Sequence, residues 1–171
     1  MINLLEGEKI VLQKRRHWYA LAAESSGLFL MALVPVLLVL LGMSSPAVRE
    51  IMTANWSLVL FKASIWLLMV WMIFFVVWTN YYLDVLVVTN YRLIDIEQKG
   101  LFARDMAEVH LSRIQDIKVE VVGLIASLMD FGDIHVQTAG AEREIVITQI
   151  EHPHEVRDII SKHHMEALNA R

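Results

Sequence analysis

The chain has 171 residues, 56% of them hydrophobic, and a formal net charge of −4. Residues 81–171 hold nine Lys or Arg against fifteen Asp or Glu, a net of −6, whereas residues 1–80 hold six against four, a net of +2. The acidic C-terminal half argues against nucleic-acid binding and against polybasic attraction to anionic lipid. Because the sequence has no cysteine, it excludes disulfides, thiolate nucleophiles and zinc–thiolate sites.

Two apolar stretches near the start of the chain are each long enough to cross a bilayer as a helix, since about 20 mostly apolar residues suffice. They form a predicted transmembrane hairpin. The sequence thus divides into an N-terminal segment (1–19), a first span (20–43), a short external loop (44–56), a second span (57–80) and one soluble domain (81–171). A cleaved signal peptide ending near Ser45-Pro46-Ala47 is the alternative, although the first stretch and the polar segment before it are long for one.

Basic residues set the expected orientation. Lys14, Arg15 and Arg16 precede the first span, while the loop between the spans has only Arg49, next to Glu50. The positive-inside rule then places both termini on the cytoplasmic side of the membrane. Aromatic residues flank both spans at positions typical of membrane-interface anchors. These are Trp18, Tyr19, Trp56, Trp78, Tyr81 and Tyr82.

Two charged residues, Glu24 and Lys62, lie about one turn inside the predicted spans. We interpret them as side chains that snorkel to the nearby interface. The alternative is a buried polar pair or an ion path. An antiparallel hairpin would place them at opposite ends, which disfavours a direct pair.

After the second span the pattern becomes typical of strands: residues 85–89 are a β-branched run, and apolar residues alternate with polar ones at 117–121 and 133–138. Strands are predicted at 85–89, 92–97, 101–111, 117–121, 133–138 and 144–150, with turns at Asn90, Lys99-Gly100 and Ala139-Gly140-Ala141. Pro153 favours the start of a helix with one apolar face. That face comprises Val156, Ile159, Ile160, His163 and Ala167. Antiparallel strands followed by one helix indicate the α+β class.

Several segments occur in a characteristic order: 88–94 (VTNYRLI), 99–104 (KGLFAR), 109–114 (VHLSRI), 116–117 (DI), 131–134 (FGDI) and 138–140 (TAG), with 6–8 (EGE) and 15–18 (RRHW) before the hairpin. In this order the chain resembles the membrane-flanked bacterial PH-like (pleckstrin-homology-like) domain family. The resemblance implies a strongly bent antiparallel sheet or barrel of seven strands, capped by the C-terminal helix. It implies little about activity.

No ligand chemistry is evident in the sequence. A phosphoinositide pocket needs clustered cations, but Arg92, Lys99 and Arg104 alternate with carboxylates and are better interpreted as surface charge. The histidine spacings do not match the i, i+4 arrangement of metal ligands, and neither a phosphate-binding glycine loop nor a nucleophile elbow occurs. We therefore expect no catalytic residue, cofactor, metal ion or small-molecule substrate.

The segment 123–132 (GLIASLMDFG) is unusually apolar for a connection. We expect this segment to fold back and plug the barrel. The alternative is that it contacts a partner protein or lipid, with Leu124, Ile125, Leu128 and Met129 as the candidate residues. Both hold if Leu124, Leu128 and Phe131 face inward while Ile125 and Met129 stay outside.

These patterns together predict a non-enzymatic module, integral to the bilayer, that makes protein–protein contacts at the cytoplasmic face. It would act as an adaptor, as an accessory subunit of another membrane protein, or by self-association. An exposed strand edge is the expected contact. The alternative function is lipid sensing through residues 123–132.

Overall fold

The computed structural model describes residues 4–139 and 144–169. The chain divides into two compact units. We call Met1–Ala20 together with Asn80–Arg171 the module, and Leu21–Thr79 the helical unit. The predicted turn at Ala139-Gly140-Ala141 falls mostly outside the described residues.

The helical unit is formed by three helices. They are α1 (Trp18–Ser44), α2 (Pro46–Ala54) and α3 (Trp56–Leu83). By length and composition, α1 and α3 are apolar enough to cross a membrane. Helix α1 continues through Pro35. Trp66 of α3 donates its indole N–H to the carbonyl of Met31 in α1, at 2.9 Å. Helix α2 lies within the predicted loop at 44–56. Pro46 occupies its first turn, where its fixed φ favours helix initiation and its missing N–H costs nothing.

The module contains seven strands within the described residues. They are β1 (Ile10–Arg15), β2 (Val85–Thr89), β3 (Arg92–Gln98), β4 (Arg104–His110), β5 (Ile114–Glu120), β6 (Phe131–Thr138) and β7 (Ile145–Glu151). They form two antiparallel sheets, of order β1-β2-β3-β4 and β5-β6-β7. A single 3₁₀ turn (Leu111–Arg113) joins the sheets, α4 (Leu124–Met129) connects β5 to β6, and α5 (Pro153–Asn169) follows β7. The predicted α+β class and C-terminal helix are confirmed.

Strand β1 makes the helical unit an insertion within the module. Arg15 pairs with Val85 and Ile10 with Thr89, so β1 and β2 are neighbours in the sheet. In the chain, α1, α2 and α3 lie between these two strands. Residues 1–19 were predicted as an N-terminal segment, and no strand was predicted there from the sequence. In β1 only Leu12 packs as an apolar residue against the core, which leaves a weak period-two signal.

The core lies between the two sheets and α5. Leu86, Val88 and Leu93 from the first sheet meet Ile134, Val136 and Ile150 from the second. Val156 and Ile160 of α5 are completely buried against them, which confirms the predicted apolar face of this helix. Burying each such side chain contributes about 1.5–3 kcal/mol. Leu111, predicted to end a strand, instead begins the 3₁₀ turn and is fully buried in this core.

Candidate functional site

The candidate site lies at one end of the module, where β1 leads into α1 and α3 leads into β2. We call this the hairpin end. The guanidinium of Arg16 donates from Nη1 to Oδ2 of Asp84 at 3.3 Å and from Nη2 to Oε1 of Gln149 at 3.2 Å. Asp84 Oδ1 accepts the backbone N–H of Gln98 at 2.6 Å. Burial raises the pKa of Asp84, and the Gln98 N–H and Arg16 partly offset this rise. The two chain segments that enter and leave the insertion are thereby tied together.

Aromatic rings fix the start of α1 to β6. Phe131 stacks on His17 with ring centroids 4.9 Å apart and on Tyr19 at 5.1 Å. The backbone N–H of His17 donates to the carbonyl of Gln149 at 2.7 Å. Trp18, between the two stacked residues, is 55% exposed. The start of α1 and the first residue of β6 therefore lie together at the hairpin end.

The other predicted interface aromatics lie along α3. Tyr81 and Tyr82 are in its last turn, and the guanidinium of Arg15 lies 4.3 Å from the ring centroid of Tyr82. In the helical unit, Trp56 begins α3 and the ring of Trp78 lies 6.1 Å from that of Phe74. Their contact with a membrane interface stays a prediction.

Helix α4 contradicts the prediction of an inward plug. Leu124 is 86% exposed and Leu128 is 83% exposed, while the small Ala126 is the buried residue of the helix. Of the three residues expected inside, only Phe131 is buried. The reason is that Leu111, Val156 and Ile160 already occupy the core. Helical spacing showed that the two leucines share a face, but it did not show which face is buried.

Polar contacts hold the end of α4 against the start of α5. Asp130 caps α4 in the left-handed region (φ 51°), and His152 also has a positive φ of 52°. The backbone N–H of His152 donates to the Asp130 carbonyl at 2.9 Å, and its Nδ1 lies 2.5 Å from Asp130 Oδ2. The Asp130 carboxylate raises the pKa of His152. This pair fixes the position of α4 on the module.

An acidic groove runs between the two sheets. It has a volume of about 270 Å³ and is lined by Asp95, Glu97, Asp105, Ala107, Glu144, Ile145 and Val146. Burial raises the pKa of Asp95 to about 6, and the carboxylates of Glu97, Asp84 and Asp105 add to the shift. The groove therefore concentrates negative charge in a partly desolvated place.

Two open strand edges border this groove. Within the described part of the chain, β4 forms one edge of its sheet and pairs with β3 alone, and β7 forms an edge of the other sheet. A bridge between Arg16 and Ile150 closes the two sheets only at the end of β7. Within the described residues no strand pairs with the outer side of β4, so this edge can accept an added strand. The Met106 N–H of this strand donates to Asp105 Oδ1 at 3.1 Å.

Two of the three cations considered for phosphoinositide binding contact carboxylates. Arg92 Nε donates to Glu8 Oε1 at 2.9 Å, and its Nη1 donates to Glu108 Oε2 at 2.6 Å. Lys99 Nζ lies 3.0 Å from Asp105 and 3.3 Å from Glu97. Over residues 4–139 and 144–169, no group of three or more histidines and carboxylates is placed to hold a metal ion.

The groove was not predicted from the sequence, in which these carboxylates were interpreted as surface charge. The register pairs Glu97 with Asp105 and Asp95 with Ala107, which places all four on one face of the β3–β4 hairpin. The period of two between Asp95 and Glu97 was the available signal. The approach of β7 to this face depends on the packing of the sheets and had no local signal.

The comparisons with known proteins identify the family. A family model described as the bacterial PH domain matches residues 26–164. No curated protein matches the chain.

Two solved structures are similar to part of the chain. A DUF1696 family protein with a pleckstrin-homology domain from Shewanella loihica PV-4 is 21% identical, with a TM-score of 0.39, over 47% of this chain and 70% of that one. A pleckstrin homology domain from Shewanella amazonensis SB2B is 17% identical, with a TM-score of 0.40, over 47% of this chain and 66% of that one. PH-like domains are generally non-catalytic modules that bind lipids or proteins. Because the family model matches well over half of its residues, this chain belongs to the bacterial PH domain family.

Proposed function

We propose that this chain is a membrane-anchored, non-enzymatic docking module that binds a basic, extended segment of another membrane protein at the cytoplasmic face of the bacterial inner membrane. The observation that carries the proposal is the open edge of β4 beside the acidic groove. The partner segment would add as a strand to β4 and place its basic side chains over the groove.

The anchoring part of the proposal rests on α1 and α3. Two residues separate β1 from α1 and one separates α3 from β2, so each connection spans at most three Cα–Cα steps, or about 11 Å. The module would then remain beside the bilayer. Strand β1 also supports an uncleaved first helix, because cleavage near Pro46 would separate β1 from the sheet to which it belongs.

Charge complementarity supports a basic partner. Four carboxylates line the groove, one of them with a pKa of about 6, and Lys99 contacts two of them, Glu97 and Asp105. Because one cation does not balance four carboxylates, a cationic segment would relieve the repulsion that remains. Membrane proteins of the inner membrane concentrate Lys and Arg in their cytoplasmic loops close to the bilayer. A module held at that surface would meet such segments directly.

A binding experiment with the full-length chain in phosphatidylcholine nanodiscs tests this function. The probe is a synthetic peptide of alternating Lys and Val, compared with the same peptide N-methylated on every second residue. N-methylation removes backbone donors and leaves the charge unchanged. We expect the unmodified peptide to bind and the N-methylated peptide to bind at least tenfold more weakly, which corresponds to about 1.4 kcal/mol. Equal binding of the two peptides would contradict strand addition.

A pair of charge-reversal variants tests the place of binding. Glu97→Lys with Asp105→Lys should abolish binding of the unmodified peptide, since both residues line the groove. Glu155→Lys with Asp158→Lys changes the net charge equally on the exposed surface of α5 and is the matched control. If the control weakens binding as much as the groove variant, then the attraction is non-specific and the proposed site is wrong.

A further inference from the structure

We propose that an apolar patch on and beside α4 inserts into the headgroup boundary of the bilayer that anchors the chain. The patch consists of Val122, Leu124, Ile125 and Leu128, and we call it the α4 patch. The inference rests on the membrane anchoring in the proposed function. It adds a second, peripheral contact with lipid, made by the module itself.

The α4 patch exposes large apolar side chains that the module leaves uncovered. Val122 is 73% exposed, and Leu124 and Leu128 are the most exposed residues of α4. The nine residues from 121 to 129 include no charged side chain. A cluster of this kind on a folded domain marks an interaction surface, because isolated exposed leucines are ordinary but contiguous ones are not.

The α4 patch lies at the hairpin end of the module. Phe131, two residues after α4, stacks on His17 and Tyr19, which flank the first residue of α1. The chain therefore leaves the module for its apolar helix beside α4. Trp18 and Tyr82, both largely exposed, belong to the same end and have the amphipathic rings that favour the membrane interface.

Other residues at this end fit a lipid surface. Phe102, in the turn between β3 and β4, is 99% exposed, and the preceding strand end is tied to Asp84 through Gln98. Basic residues lie close by: Lys14 is near enough to His152 to oppose its protonation, and Arg15 covers Tyr82. The residues that directly flank the patch in the chain are acidic, but Glu120 contacts Lys118 and Asp130 contacts His152. Apolar area is therefore the main attraction to the headgroup boundary, and the nearby cations offset these carboxylates.

A lipid surface suits the α4 patch better than a protein does. Protein interfaces need roughly one hydrogen bond per 100–200 Å² to fix orientation. Among the residues from 121 to 129, only Ser127 has a hydrogen-bonding side chain. Insertion into lipid requires no such pairing, since apolar area alone supplies the free energy.

Site-directed fluorescence in the full-length chain tests the inference. The absence of cysteine allows single labelling sites without removal of native thiols. Leu124→Cys and Leu128→Cys place an environment-sensitive NBD label on the α4 patch. Met165→Cys is the matched control, since Met165 is an apolar helical residue that is 56% exposed, about 18 Å along α5 from its first residue. Each variant is reconstituted into vesicles of phosphatidylcholine and phosphatidylglycerol, with or without phosphatidylcholine bearing a nitroxide on the upper acyl chain.

We expect blue-shifted emission and several-fold stronger nitroxide quenching for labels at 124 and 128 than for the label at 165. Three outcomes would overturn the inference. If labels at 124 and 128 are no more quenched than the control while the chain resists alkaline extraction, the α4 patch does not touch lipid but the anchoring stands. A blue shift without quenching would mean that protein covers the α4 patch. If alkaline extraction releases the chain, both the anchoring and the inference fail.

Discussion

Arg16 and Asp84 form an ion pair with Nη1 and Oδ2 3.3 Å apart, although 68 positions and the whole helical unit separate them in the chain. The pair joins the segment that leaves the module to the segment that returns to it. The ion pair holds the two ends of the insertion together, as a tight turn holds together the two strands of an ordinary β-hairpin. Asp84 is buried and also accepts the Gln98 N–H, so three segments of the module meet at one carboxylate.

Removing this carboxylate should loosen the first two strands. Asp84→Ala leaves Arg16 and the Gln98 N–H without their acceptor, and we expect a loss of about 2–4 kcal/mol in the local stability of β1 and β2. Hydrogen exchange of the amides in β1 and β2 should accelerate by about two orders of magnitude, because each 1.4 kcal/mol is a factor of ten. Asp158→Ala, on the exposed side of α5, is the control and should leave these amides unchanged. Unaltered exchange in Asp84→Ala would show that β1 is held by its ladder alone.

At the opposite end of the module, Glu8 should contribute stability that depends on pH. Its carboxylate accepts hydrogen bonds from Arg92, the Leu5 N–H and the Thr89 hydroxyl, and the bond from Arg92 is the largest cause of a pKa lowered to about 2. Because the folded pKa lies below the ordinary value of 4.5, this stability is present above pH 4.5 and is lost as the pH falls toward 2.

Glu8→Gln should therefore destabilise the module by about 2–3 kcal/mol at pH 6, because the buried guanidinium loses its ionic acceptor. The difference from the unaltered chain should shrink at pH 3. Calorimetry of the detergent-solubilised chain at both pH values measures this difference in stability. Glu6→Gln, at an exposed position of the same segment, is the control. An equal difference at pH 3 and pH 6 would mean that the Glu8 charge is not what stabilises this end.

Local periodicity predicted the elements in which apolar residues alternate with polar ones or recur at helical spacing. Strand β6 and helix α5 were found in this way, because Ile134 alternates with polar neighbours and Val156 and Ile160 recur along the helix. Strands β2 and β3 bury residues on both faces, so alternation is weak there, and β2 was predicted from its β-branched run. Strand β1 was missed because its partner is supplied by residues beyond the insertion. A strand of this kind is stabilised by pairing with a distant segment, not by its own pattern.

The site depended on information that periodicity lacks. The pattern in α4 placed Leu124 and Leu128 on one face, but the choice between inside and outside was made by the core volume already filled from α5. The groove also depends on the approach of β7 to the β3–β4 hairpin, which no local sequence pattern predicts. The resemblance to PH-like domains supplied the number of strands but not these surfaces.

Asp95 should reduce stability at neutral pH. Burial raises its pKa to about 6, so the folded state binds a proton more tightly than the unfolded chain does. Its contribution to stability therefore falls as the pH rises from 3.8 to about 6. Asp95→Asn should stabilise the module by about 1–3 kcal/mol at pH 7.5, and the gain should disappear below pH 4. Denaturant unfolding at the two pH values measures it.

Asp105→Asn gives the comparison for Asp95. Lys99 lowers the pKa of Asp105, so removal of the Asp105 charge should destabilise the module at neutral pH. Both variants remove one carboxylate from the groove and should weaken binding of the basic peptide. If Asp95→Asn destabilised the module at pH 7.5, then the side chain would be paired with a cation in solution and the acidic groove would be partly neutralised.

The orientation of α4 can be tested by substitutions on its two faces. Ala126 is 5% exposed, and Ala126→Leu adds volume against β6, which should cost about 1–3 kcal/mol through overpacking. Leu124→Ser removes an exposed side chain and should change stability by less than about 0.5 kcal/mol. Thermal unfolding of the two variants in detergent measures the difference. If α4 were a plug, the order would reverse, since Leu124→Ser would then leave a polar group and a cavity inside the barrel.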